Sequence, residues 1–197
     1  KLNRHENEKV LFYVRTLSFS EFLRFKGEEA LASQNLADAK LSLSEKEKIS
    51  FYYQEFIVYG GYPRVVLADL NEKKDVLQEI AYSYIKKDIF DAKIRQDEIF
   101  YQLFKILAAG IGQLVNATEL AATLRVSRMA IEHYLFIMQK SFHVHLLKPF
   151  FKNIRKELTK MPKIYFYDLG LRNFFVNNFK PYSLREDKGA LLENAVF

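Results

Sequence analysis

Asn116-Ala-Thr-Glu-Leu-Ala-Ala-Thr-Leu-Arg-Val-Ser127, followed by Arg128-Met-Ala-Ile-Glu-His-Tyr-Leu-Phe-Ile-Met-Gln-Lys140, decides how the chain is read. Asn116 is a helix N-cap, and Glu119–Leu124 predicts a short helix. Arg125-Val126-Ser127 is a tight turn with an apolar residue at its centre. Ser127 then caps a second helix to about Lys140, in which Ile131, Leu135 and Met138 recur on one face. Two helices joined in this way are a helix-turn-helix. His143–Leu147 and Lys163–Tyr167 read as strands on either side of a basic loop. Helix-turn-helix plus hairpin makes a winged helix, assigned to residues 96–167.

Upstream, the spacing is helical. Ser18-x-x-Glu21 is a capping box opening a short helix with Phe22, Leu23 and Phe25. Ser44-x-x-Glu47 predicts a second box, before a stripe of Ile49, Tyr52, Tyr53, Phe56 and Ile57. Gly60-Gly61 ends that helix and Pro63 cannot continue it. Asn71 is the expected cap of a long helix to about Ile94, with Val76, Leu77, Ile80, Tyr84 and Ile85 on its buried side. Asp97 is the expected cap of another, carrying Ile99, Phe100, Leu103, Ile106 and Leu107. Residues 44–110 thus predict antiparallel helices. Val10–Arg15 reads as a short strand before them. Asp168 caps a later helix, and Asp187 precedes a final helical run.

The chain has 197 residues, with 30 basic and 24 acidic side chains and a net charge of +6. Composition is globular, 49% hydrophobic, with 18 Phe and 12 Tyr but no Trp and no Cys. Without Cys there is no disulfide scaffold, thiolate metal site or cysteine nucleophile, which fits a reducing cytoplasm. Seven glycines include no Gly-Lys-Ser/Thr and no GxGxxG, and no HExxH or GxSxG occurs. No apolar run is long enough to span a bilayer, and no membrane partner is expected. The chain opens on Lys1 and stops within an apolar run at Phe197, so a piece of a longer chain is expected.

Lys148 to Lys163 contains six basic residues opposed by Glu157 alone, a local +5. Lys152, Arg155, Lys156 and Lys160 could contact phosphates, together with Arg125, Ser127, Arg128 and His133 of the helix-turn-helix. A solvated loop whose charge protects a sheet edge has the same composition. Glu132 repels phosphates, and no Asn or Gln near the helix start reads adenine. Gly60, Gly61, Tyr62 and Pro63 are either a helix stop and restart, or a backbone approach to a ligand such as a nucleotide. His143 and His145 share a strand face but lack further metal ligands in sequence. Asp168 reads as an N-cap and Glu193 as a surface helix position.

Six motifs in order resemble the AAA-type P-loop ATPases of bacteria and archaea that carry a C-terminal domain of unknown function. They are Leu17-Ser-Phe-Ser-Glu-Phe22, Gly60-Gly-Tyr-Pro63, Tyr84-Ile-Lys-Lys-Asp-Ile89, the winged helix, Lys163–Asn173 and Gly189–Phe197. The resemblance implies a mainly α chain: a helical lid, a winged helix and a truncated α/β nuclease-like segment. Residues 1–16 would be the last strand of an absent ATPase core, 17–95 the lid and 168–197 the start of a restriction-endonuclease-like fold. ATP and Mg²⁺ would bind the intact parent, with Gly60–Pro63 beside the adenine and no cofactor on this chain alone. Glu193 would be the first acidic position of the nuclease-like fold, with the remaining ones beyond Phe197. The implied function is to couple nucleotide state to a nucleic-acid or protein partner. A stand-alone winged-helix DNA-binding regulator and a fragment of a metal-dependent nuclease are the alternatives.

Overall fold

Several helix starts in this chain follow its small polar side chains. The computed structural model describes residues 15–34, 40–94, 96–150 and 160–196. Of the expected strand Val10–Arg15, all but Arg15 lies outside that set, as do the basic residues Lys152, Arg155 and Lys156. Helix α1 (Phe19–Phe25) is capped by Ser18, whose N–H donates to the Glu21 carboxylate at 2.8 Å. After α2 (Glu29–Ala32), helix α3 (Leu43–Tyr59) opens on Ser42 and Glu45, not on Ser44 and Glu47. Both pairs have capping-box spacing; the earlier one brings Leu43 and Ser44 into the helix and closes the Lys46 N–H onto Ser42 O at 3.1 Å.

Helix α4 (Pro63–Leu67) starts on its proline, where a missing N–H removes no helical bond. Helix α5 (Lys73–Asp91) begins two residues beyond the expected Asn71 cap. Helix α6 (Asp97–Ala109) follows, with Gln96 at the cap position and the expected cap, Asp97, as its first residue. Helix α7 (Ala117–Leu124) is capped by Asn116, which accepts from the Thr118 and Glu119 amides. Arg125 takes a left-handed conformation in the turn, and Ser127 caps α8 (Arg128–Lys140) by accepting from the Ala130 amide. Strands β1 (Val144–Leu147) and β2 (Lys163–Phe166) pair antiparallel, with Val144 opposite Phe166. Helix α9 (Leu169–Phe175), a 3₁₀ turn at Tyr182–Leu184 and α10 (Lys188–Val196) complete the order. The described residues are therefore mainly helical, with one two-stranded sheet, in line with the sequence patterning.

Strand β2 is held from both sides. Opposite β1, Gly112 N–H donates to Ile164 O at 2.8 Å and Ile164 N–H to Gln113 O at 3.0 Å. Ile164, Tyr165 and Phe166 are accordingly buried in succession, as expected of a strand covered on both faces. The chain then enters α9, which packs on α3, α5 and α6 and makes that short helix the hub of the fold. One core runs from Ile57 on α3 to Leu191 on α10 and joins α3, α5 and α6 to the hairpin. At its centre Phe104 stacks on Phe175 with centroids 4.7 Å apart. Each fully buried ring of this kind contributes about 1.5–3 kcal/mol.

Candidate functional site

The Gly60-Gly61-Tyr62-Pro63 turn is clamped from two sides. Asp168, the N-cap of α9, accepts from Leu171 N–H at 2.8 Å and, with its other oxygen, from Gly61 N–H at 2.7 Å. Gly61 O accepts from Leu17 N–H at 2.9 Å. A Cβ on Gly60 would lie 2.2 Å from an Asp168 oxygen, and one on Gly61 would lie 2.4 Å from Leu17 O. Gly170 faces the same junction, where a Cβ would meet Tyr59 O at 2.0 Å. The close backbone approach expected of these glycines is thus, among the described residues, an approach of the chain to itself. Asp168 is 3% exposed. Burial pushes its carboxyl up to about 6, while the amides of Gly61, Leu171 and Gly170 pull the other way.

Tyr62 and Pro63 border a cleft of 590 Å³ that reaches Arg15, Thr16, Tyr84, Lys87, Asp88, Asp91 and His143. The Tyr62 ring lies 6.1 Å from that of Tyr84. Burial, then the nearby Asp168, raises the Tyr62 phenol above its ordinary value, so it remains neutral. Tyr84, expected on the buried side of α5, is half exposed here. Asp88 is hydrogen-bonded to His143 Nε2 at 2.6 Å. His143 is 3% exposed and Phe104 packs edge-on to it at 5.3 Å. His145 instead lies against Tyr167. The two histidines therefore serve different neighbours, and the described residues contain no group of three His, Cys, Asp or Glu able to hold a metal.

The strap before α1 separates this cleft from a second one of 620 Å³, lined in part by Phe19, Tyr53, His145 and Asn194. The Arg15 guanidinium lies over Phe142 and Tyr167, at 5.6 and 5.2 Å. Thr16 Oγ1 donates to Tyr167 O at 3.2 Å. Behind the junction, Asn173 Nδ2 donates to Ile57 O and Val58 O, both at 2.9 Å, satisfying carbonyls at the end of α3. Buried Arg172 and Arg185 both pair with Asp187, which holds its carboxyl below the ordinary range. Sequence reading missed these ties. Asp168 was legible as a cap, but nothing local announces that its second oxygen reaches Gly61, 107 positions away.

The other expected site residues are spread over two faces. Arg125, Ser127, Arg128 and His133 are exposed around the turn and α8, and Lys160 is exposed before β2. Arg128 Nε donates to Glu132 at 2.8 Å. Glu193 sits across the hairpin, accepting from Lys163 Nζ at 2.8 Å and from the Tyr165 hydroxyl at 2.6 Å. Those bonds hold its carboxyl below the ordinary value. No helix among the described residues is long and apolar enough to cross a membrane.

The chain is 30% identical over 191 residues to an uncharacterized protein of Haemophilus influenzae, an alignment covering 92% of this chain and 42% of that protein. It is 29% identical over 188 residues to an uncharacterized protein of Methanocaldococcus jannaschii, covering 92% of this chain and 39% of the other. The chain thus spans about two fifths of the length of these relatives. No solved structure matches it significantly. Residues 50–182, from α3 to the 3₁₀ turn and including the Gly61–Asp168 junction and the Asp88–His143 pair, match a family described as "Domain of unknown function (DUF8612)", and the chain belongs to that family.

Proposed function

We propose that the chain is the lid and winged-helix portion of an AAA-type ATPase, coupling nucleotide state to a nucleic-acid or protein partner. The observation that carries this reading is the Gly61 junction. The turn bordering the cleft is bonded directly to the cap of α9, so a shift of Tyr62 and Pro63 is felt at the hairpin. The helix-turn-helix geometry of α7 and α8, with the hairpin after it, supports the winged-helix assignment. The shorter span of this chain relative to its relatives supports a longer parent.

The cleft residues fit the base end of ATP. Tyr62 and Tyr84 offer ring faces on which a base can stack. The 197 residues contain no glycine-rich phosphate loop, and the described residues hold no metal-ligating cluster. The phosphates and Mg²⁺ therefore need other residues of the parent. When bound, ATP supplies the phosphoryl group whose transfer to water drives the cycle. The work of this chain is to seat the base, exclude water around it and move with it. The nuclease-like reading of residues 168–197 is carried by Glu193 alone, already engaged by Lys163 and Tyr165.

The test is the complete open reading frame and its product. A phosphate-binding loop encoded ahead of Lys1, ATP turnover by that product and none by the isolated chain are expected. A frame that opens at Lys1, or a full-length product that neither binds nor hydrolyses ATP, contradicts the proposal and favours a stand-alone winged-helix regulator.

A further inference from the structure

The outward face of α8 is built unlike a helix meant for a phosphate backbone. Met129 and Phe136, two turns apart on that face, are 78% and 55% exposed. Glu132, the one acidic side chain of α8, lies between them and is paired with Arg128 at 2.8 Å. That pair occupies the one arginine of the helix with a carboxylate on the same face. Exposed Arg125 and Lys140 mark the two ends, and Lys140 Nζ lies 5.5 Å from the Phe136 ring centroid. Beside Phe136 opens a hollow of 420 Å³ bordered by Lys140, Phe142, Val144 and Tyr167, wide enough for a large apolar side chain.

We propose that this face docks an amphipathic helix of a partner protein, with apolar anchors on Met129 and Phe136 and carboxylates toward Arg125 and Lys140. Charge complementarity selects the partner. Arg128 and Glu132 offset each other, so exposed Arg125 and Lys140 leave the rim positive, which attracts an acidic segment and disfavours a basic one. The face of α8 is about 20 Å long, the length of three to four turns of a partner helix. Burying Met129 and Phe136 against apolar anchors removes from water what a sugar-phosphate surface would leave wet. The inference names the partner class for the winged-helix reading above and rests on the α7–α8 geometry. Its test involves no nucleotide, so the two proposals fail separately.

The experiment selects random displayed peptides against the full chain and measures binding of a synthetic representative. Enriched peptides should carry apolar residues at helical spacing interleaved with Asp or Glu, and should perturb the Met129 methyl signal in NMR. Phe136→Glu should weaken binding at least about tenfold, the equivalent of one lost apolar anchor. Lys140→Glu should shift selection toward less acidic peptides. Both sites are exposed, and circular dichroism checks that each variant keeps its helices. Failure to enrich peptides, enrichment of peptides indifferent to both substitutions, or perturbation of Met129 by duplex DNA instead overturns the proposal. Perturbation by a second copy of the chain, seen as dependence on protein concentration alone, overturns it as well.

Discussion

Asp168 carries two duties on one carboxylate. One oxygen starts α9 and the other holds Gly61. Its raised pKa has a definite sign for stability. The folded carboxyl titrates at about 6, above its ordinary value near 4, so between those values the folded state binds more protons than the unfolded one. This contribution to stability grows as pH falls from 6 to 4 and is lost as pH rises back through 6. A carboxyl displaced that far contributes at most about 3 kcal/mol across the window. Asp187 acts in the opposite sense and lower down, because its carboxyl is held below the ordinary range by Arg185 and Arg172. Its stabilisation is present above its unfolded value and lost as pH falls through its folded one. Urea unfolding of Asp168→Asn should show lower stability and no rise between pH 6 and pH 4, where the wild-type contribution rises. Stability curves of the two proteins that stay parallel across that range contradict the assignment.

At the scale of elements, what was legible in the sequence was local. Ser18, Asn116, Ser127 and Asp168 each cap the helix that their side chains predicted, because a cap is decided within three residues. Ser44 lost to Ser42 because both satisfy the same local rule. The Asn71 cap also moved, since α5 starts at Lys73, whose buried ammonium sits 3.3 Å from Glu55 and donates to Val66 O at 3.2 Å. The ties between elements were not legible. Asp88 to His143 spans 55 positions and Asn173 to Ile57 spans 116. No periodicity encodes either. The glycines gave a partial signal: Gly60 and Gly61 marked a place where the backbone either stops a helix or approaches something closely, though not what approaches, and Gly170 carried no such signal. The Arg172–Asp187–Arg185 cluster holds α9 to the segment before α10, with both arginine side chains nearly sealed from water. Asp187→Ala leaves two buried guanidinium groups without their shared carboxylate and should destabilise the fold by about 3–5 kcal/mol, read by chemical denaturation. A loss below about 1 kcal/mol would mean that water reaches the cluster.

For the molecule as a whole, the largest core cluster, from Ile57 to Leu191, makes the cleft and the hairpin parts of one packed body, beside smaller clusters around Leu23 and around Val65. The fold class was legible because caps and apolar stripes suffice for a mainly helical chain. The cleft was not, because its walls come from the strap at Arg15, the turn at Tyr62, α5 and the α8–β1 junction. The cleft at Tyr62 is bordered as well by Asp88 and by Phe142 and His143 at the base of the hairpin. The most direct measurement is photo-crosslinking of the product of the complete reading frame with an azido-adenine ATP analogue, mapped by mass spectrometry. Label on Tyr62–Pro63 or on Tyr84–Asp91, competed away by ATP, is the predicted result. ATP-competable label confined to other parts of the protein would contradict the account.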